Sequence, residues 1–204
     1  MHRKAQTAVP IHPLLAERWS SRAFSDDPVA PELVLSLLEA ARWSASCFNG
    51  QPWRFIVATR DDPEQHARLA ACFTTSNQRW VPRAWVVMIA LAVDTFEVDG
   101  SANRLAQYDV GLAVQNMVVQ ASAHGLNVRQ AAGIDIARIR AEYAVPEGVT
   151  VMCGVMIGYP GDPDTLVDPL PQRERQPRTR KPLSELCFSG RFGQAYDGLP
   201  DETR

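Results

Sequence analysis

Two uninterrupted apolar runs constrain this chain most. Trp85 to Val93 and Val149 to Ile157 carry branched and small side chains with almost no polar alternation. A strand wetted on one face alternates polar and apolar residues, so strands without that pattern are covered on both faces. Between them lies a stretch from about Asn103 to His124. There Leu105, Val110, Leu112, Val114, Met117, Val118, Val119 and Ala121 spread around several faces, which predicts a long helix buried on more than one side. These segments together predict an α+β, three-layer sandwich: a central mixed sheet flanked by helices. The sheet covers one side of the long helix, and a partner subunit is the natural cover for another.

The flanking signals agree with that frame. Leu33, Val34, Leu37, Leu38 and Ala41 recur at helical spacing from Pro31 to Trp43, with Pro31 in the first turn. Trp53 to Thr59 reads as a strand, and Asp61-Asp62-Pro63 starts another helix with an Asp cap. Gly125 fits the position just past the end of the long helix, and Asp135 caps a helix from Ile136 to Tyr143 that ends before Pro146 and Gly148. Near residue 160 the texture changes. Gly158-Tyr159-Pro160-Gly161-Asp162-Pro163 is turn chemistry, Pro169 to Pro182 is a connector rich in proline and arginine, and Phe188 to Phe192 suits a short strand or clasp. A stretch this long without its own core lies on another surface or is disordered. The expected organisation is a flexible arm over residues 1–10 and one domain over 11–204, whose extension from about 160 embraces a partner subunit.

Composition narrows the function. A net charge of −2 gives no basic field for nucleic acid or an anionic membrane. No apolar run approaches the roughly 20 residues of a membrane helix. Met1-His2-Arg3-Lys4 leads into Ala5-Gln6-Thr7, so no signal peptide is expected and a cytoplasmic location is. Cys47, Cys72, Cys153 and Cys187 form no Cys-x-x-Cys pair and read as reduced thiols, with Cys153 a small core hydrophobe. The four histidines are scattered, so no metal site is expected. No Gly-x-Gly-x-x-Gly follows a strand, and no Ser/His/Asp or Cys/His set stands in a convincing context.

Two polar runs carry the chemistry. Arg18-Trp19-Ser20-Ser21-Arg22 is basic and hydroxyl-bearing, and Ala45-Ser46-Cys47-Phe48-Asn49-Gly50-Gln51-Pro52-Trp53 is polar and turn-prone. Together they offer the cations, hydroxyls and amides that a phosphorylated heteroaromatic cofactor needs. A guanidinium meets phosphate oxygens bidentately and keeps its charge, and Arg18, Arg178 and Arg180 suit that task. The plain alternatives are a solvated basic stretch at Arg178-Thr179-Arg180-Lys181 and a helix-to-strand turn at Asn49-Gly50-Gln51-Pro52.

The first run, continued by Ala23-Phe24, resembles the RxSxRxF signature of the nitroreductase family of FMN-dependent oxidoreductases. The second resembles that family's PSxxNxQPW segment. Asp109-Val110-Gly111, Gly125-Leu126 with Gln130-Ala131-Ala132-Gly133, and Arg178-Thr179-Arg180-Lys181-Pro182-Leu183 follow in the family's order, so the resemblance spans about Leu15 to Phe192. It implies FMN as cofactor, NADH or NADPH as transient donor, and a homodimer with FMN sites at its interface. The implied reaction is a ping-pong hydride transfer to nitroaromatic, quinone-like or related electron-poor acceptors. Relatives that dehalogenate or fragment the flavin, and a non-catalytic flavin-binding dimer, are the alternatives.

By the same resemblance the phosphate falls to Arg18, Arg178 and Arg180, beside Trp19. Ser20, Ser46, Asn49 and Gln51 serve the ribityl chain and pyrimidine edge, Ala45 is a further cofactor contact, and the segment from Asn49 to Trp53 reaches the flavin from the other subunit. Arg22 faces the charge that develops near N1 and O2, Asn77 contacts the ring system, and Gln130, Ala131, Ala132 and Gly133 pass the N5 edge. Ala132 stands where some relatives carry Glu. No side chain is assigned a catalytic step, because the flavin carries the chemistry. Trp80 and Phe48 are candidate lids or core aromatics.

Overall fold

The computed structural model describes residues 4–200. Four strands form one sheet: β1 (Trp53–Thr59), β2 (Val86–Val93), β3 (Asn127–Ala131) and β4 (Val149–Gly158), in the order β1-β2-β4-β3. The helices are α1 (Pro13–Glu17), α2 (Pro31–Arg42), α3 (Pro63–Ala70), α4 (Thr75–Gln78), α5 (Ala106–Ala123), α6 (Ile136–Glu142) and α7 (Leu170–Glu174).

The sheet differs from the expected mixed one. β2 and β3 do point the same way, joined by the α5 crossover. β4 inserts between them, so every neighbouring pair is antiparallel. A crossover helix read from sequence implies two like-directed strands but cannot show that a third separates them.

β2 explains the layering. Val86, Met88, Ala90 and Ala92 face one core, built with α2 and α5, while Val87, Ile89 and Leu91 face a second, built with Leu69, Phe73, Trp80 and Ile139. A period of two sends successive side chains to opposite faces, and both faces are apolar because both are covered. α5 buries Val110, Ala113, Val114, Met117 and Val118. Part of its second side is covered from within the chain: Gln120 Nε2 donates to Ser36 Oγ at 3.0 Å and Asn116 Nδ2 to the Ala40 carbonyl at 3.3 Å, both on α2. Tyr108 on α5, with Leu35 and Trp43 on and just after α2, stays exposed.

The ends of the sheet position the polar runs. Residues 18–25 are stitched to the end of β4: the Ser25 N–H donates to the Tyr159 carbonyl and the Gly161 N–H to the Ala23 carbonyl, each at 3.0 Å. Gly161 is required here. A Cβ at that position would sit 2.4 Å from the Phe24 carbonyl carbon and oxygen. α7 lies within the expected connector and is anchored by buried Leu170 and Pro171. Of the expected arm, residues 1–3 lie outside the described residues, and Ala5 donates its N–H to the Ala16 carbonyl at 2.8 Å.

Candidate functional site

The two ends of the chain meet beside Arg18. Its Nη1 donates to Ser20 Oγ at 2.8 Å, and Arg178 Nη1 donates to the Ala16 carbonyl at 2.9 Å. The Arg178 guanidinium lies 6.0 Å from the centre of the Trp19 ring. Burial pulls the Arg18 pKa below its usual value, and the charges of Arg178 and Arg180 pull it further. Arg178 is lowered by burial and then by Arg180. Like charges held this close disfavour each other, so the arrangement is suited to an anion that relieves the repulsion. Neither Arg18 nor Arg180 meets a carboxylate among the described residues. A cleft of about 540 Å³ opens beside Arg18, Trp19 and Ser21, walled by Gly125–Asn127 and Pro160–Pro163.

Arg22 belongs to a neighbouring buried cluster. Its Nη1 donates to Glu174 Oε1 at 2.8 Å, and Ser21 Oγ donates to Glu174 Oε2 at 2.9 Å. Arg129, on β3, donates from Nη1 to the Ser20 carbonyl at 2.6 Å and lies 6.0 Å from the Trp80 ring centre. Burial and then Arg22 lower its pKa, while Glu174 acts against them. Arg129 Nε is buried with no protein partner.

Trp80 links this cluster to the Gln130–Gly133 segment. Its indole Nε1 donates to Asn77 Oδ1 at 3.3 Å, and Asn77 Nδ2 donates to the Gly133 carbonyl at 3.0 Å. A Cβ on Gly133 would fall 2.5 Å from Asn77 Nδ2 and 2.8 Å from Thr74 Oγ1, so any larger residue there must push those two side chains aside. Gln130 and Ala131 close β3 opposite Val155 and Gly154, and Ala132 follows, exposed. Trp80 is 1% exposed and packs in the second core, which excludes it as a lid; Phe48 is 92% exposed.

The second polar run stands elsewhere. Its tight turn places Phe48, Asn49 and Gln51 at positive φ. The Gln51 N–H donates to Ser46 Oγ at 3.1 Å, Gln51 Nε2 donates to the Asn49 carbonyl at 3.0 Å, and the Cys47 N–H donates to buried Asp109 Oδ2 at 3.0 Å. Ala45 is exposed just before this turn. The register sets the separation. Arg129 lies opposite Met156, Met156 opposite Val87, and Val87 opposite Ala58. The turn leads into Trp53, at the far end of the far edge strand. Three strand spacings and five residues put the two regions about 14 Å apart across the sheet and about 17 Å along it. One chain therefore brings Arg18, Trp19, Ser20, Arg22, Arg178 and Arg180 together, holds Asn77 against Gly133 nearby, and leaves Ala45, Ser46, Asn49 and Gln51 at the opposite corner.

The nitroreductase family model matches residues 15–159, most of the chain, from the arginine run through β4. The chain belongs to the nitroreductase family. A solved oxidoreductase containing FMN superposes with a TM-score of 0.87 at 33% identity, covering 93% of this chain and 96% of that one. A 15.4 kDa protein of uncharacterised function from Mycolicibacterium smegmatis is 33% identical over 147 residues, 69% of this chain and 97% of it. An NADH dehydrogenase from Thermus thermophilus is 28% identical over 177 residues, covering 72% of this chain and 84% of it.

Within this nitroreductase-family frame, sequence reasoning missed Arg129 and Glu174. Arg129 sits on a short polar edge strand that gives little apolar signal. Glu174 sits in a proline- and arginine-rich stretch that reads as solvated. A signal was present for each: Arg129 immediately precedes the Gln130–Gly133 segment, and Glu174 falls four residues before Arg178.

Proposed function

We propose that the protein is an FMN-dependent oxidoreductase that takes hydride from NADH or NADPH and passes it to nitroaromatic, quinone-like or related electron-poor acceptors. The observation that carries this reading is the convergence of Arg18, Arg178 and Arg180, from opposite ends of the chain, at one partly buried place where burial and the neighbouring guanidiniums weaken the charged form of Arg18 and, through burial and Arg180, that of Arg178. The site's chemistry suits FMN. The arginines match a terminal phosphate, and buried Arg129 Nε lacks a partner. The solved FMN-containing oxidoreductase and the NADH dehydrogenase among the relatives support the cofactor and the donor.

Bound FMN would supply the ring that accepts and gives up hydride. The chain's own residues have other tasks. Arg18, Arg178 and Arg180 hold the phosphate, with Trp19 beneath Arg178 and Ser20 fixed by Arg18. Arg22 and Arg129 place positive charge where the reduced ring gains negative charge. Asn77, Gln130, Ala131, Ala132 and Gly133 offer amides and close backbone approach. Donor and acceptor use one seat in turn, a ping-pong cycle.

Ala45, Ser46, Asn49 and Gln51 serve the site of a second subunit, in a homodimer. Their distance from the arginines of their own chain supports this, as do exposed Leu35, Trp43 and Tyr108. The test is anaerobic mixing of FMN-loaded protein with NADH and, separately, NADPH. Rapid loss of the flavin's visible absorbance, restored by a nitroaromatic or quinone, is the expected result. A sample that stays yellow with both donors overturns the reading.

A further inference from the structure

The candidate site gathers Arg18, Arg22, Arg129, Arg178 and Arg180 around a buried carboxylate, Glu174, while Arg175, Glu17 and Asp162 also line its cleft. Glu174 is 2% exposed at its side chain. Both of its oxygens are taken up, one by Arg22 Nη1 at 2.8 Å and the other by the Ser21 hydroxyl at 2.9 Å. Two donors from the arginine run therefore orient it as an acceptor. Its helix is pinned by Leu170 and Pro171, and the segment after it carries Arg178 and Arg180.

Burying a carboxylate is costly unless it is paired and hydrogen-bonded. A hydrophobic side chain at position 174 could anchor α7 without that cost. What only a carboxylate supplies is a fixed negative charge beside Arg22 and near Arg129. We infer that Glu174 is a positioning residue that orients Arg22 and offsets part of the site's positive charge, and so limits how strongly the site favours reduced over oxidised flavin. The inference rests on the FMN reading above. At separations of several ångströms, one charge in a partly desolvated site changes a second charge's energy enough to move an equilibrium about tenfold.

The test compares dissociation constants of oxidised FMN, by fluorescence titration, with midpoint potentials of bound FMN. Together these give the affinity for the reduced form. Glu174→Gln keeps the size and an acceptor oxygen but removes the charge. Phosphate binding affects both flavin forms alike, so the ratio of the two affinities isolates the ring. In Glu174→Gln that ratio is expected to move about tenfold toward reduced FMN, while Glu174→Asp stays within about twofold of wild type because its charge remains. A ratio unchanged in a folded Glu174→Gln protein overturns the inference and leaves Glu174 a staple for α7. Should Glu174→Gln not fold, Arg22→Gln/Glu174→Gln leaves no lone charge at this point. Against Arg22→Gln, the same tenfold move supports the inference and no move overturns it. A wild-type protein that takes up no FMN overturns the reading of the site and this inference with it; uptake with an unchanged ratio overturns this inference alone.

Discussion

In the proposed reading Arg18 is the residue on which anion binding turns, because burial and two neighbouring cations make its charge costly in the absence of a counter-ion. A charge-assisted hydrogen bond contributes about 1.5–3 kcal/mol. Arg18→Ala is therefore expected to weaken FMN binding at least about tenfold and to shrink the rise in melting temperature that FMN produces. An unchanged thermal shift in that variant would refute the phosphate assignment. His66 gives a prediction independent of the site. It is buried at the Ala84 carbonyl, 2.9 Å from Nε2, and burial holds its pKa below the ordinary 6.5. The unfolded chain then binds a proton that the folded chain refuses. Stability is complete above pH 6.5 and falls as the pH drops from there toward the lower folded value. Denaturant titrations at stepped pH should show that decline in the wild type and a flatter profile in His66→Gln, which can still donate to the carbonyl.

At the scale of elements, the link between the arginine run and the turn after β4 is the sensitive joint. Gly161→Ala forces backbone against backbone at Phe24, where no flexible side chain can yield. The expected cost is about 1–3 kcal/mol, read by urea denaturation, with weaker FMN binding because the run carrying Arg18 shifts. The elements legible in the sequence are those with a strong local signal. The spans expected for α2, β1, β2 and β4 agree with the structure to within one residue at each end, since apolar period and flanking turn residues coincide there. Asp62 and Asp135 cap their helices as expected, accepting from the Gln65 and Arg138 N–H groups. β3 was not legible as a strand. In Asn127-Val128-Arg129-Gln130-Ala131 only Val128 is buried, as suits an edge strand with one neighbour. α7 and its buried glutamate were not legible either, because only contacts far away in sequence bury them. The site divides the same way: motif residues could be named from the chain, but Arg129 and Glu174 join it through tertiary packing alone.

For the whole molecule, the register places the Ala45–Gln51 turn and the arginine cluster at opposite corners of one sheet. An FMN-loaded species sedimenting as a monomer would contradict the shared site proposed above. In the shared-site dimer proposed above, that diagonal also makes catalytic competence heritable between chains. A subunit crippled at Arg18 still lends a sound turn, and one crippled at Asn49 and Gln51 still lends sound arginines. Mixed after unfolding and refolded together, two inert preparations should regain about a quarter of the wild-type sites, because half of randomly assorted pairs are hybrids and each hybrid rebuilds one pocket of two.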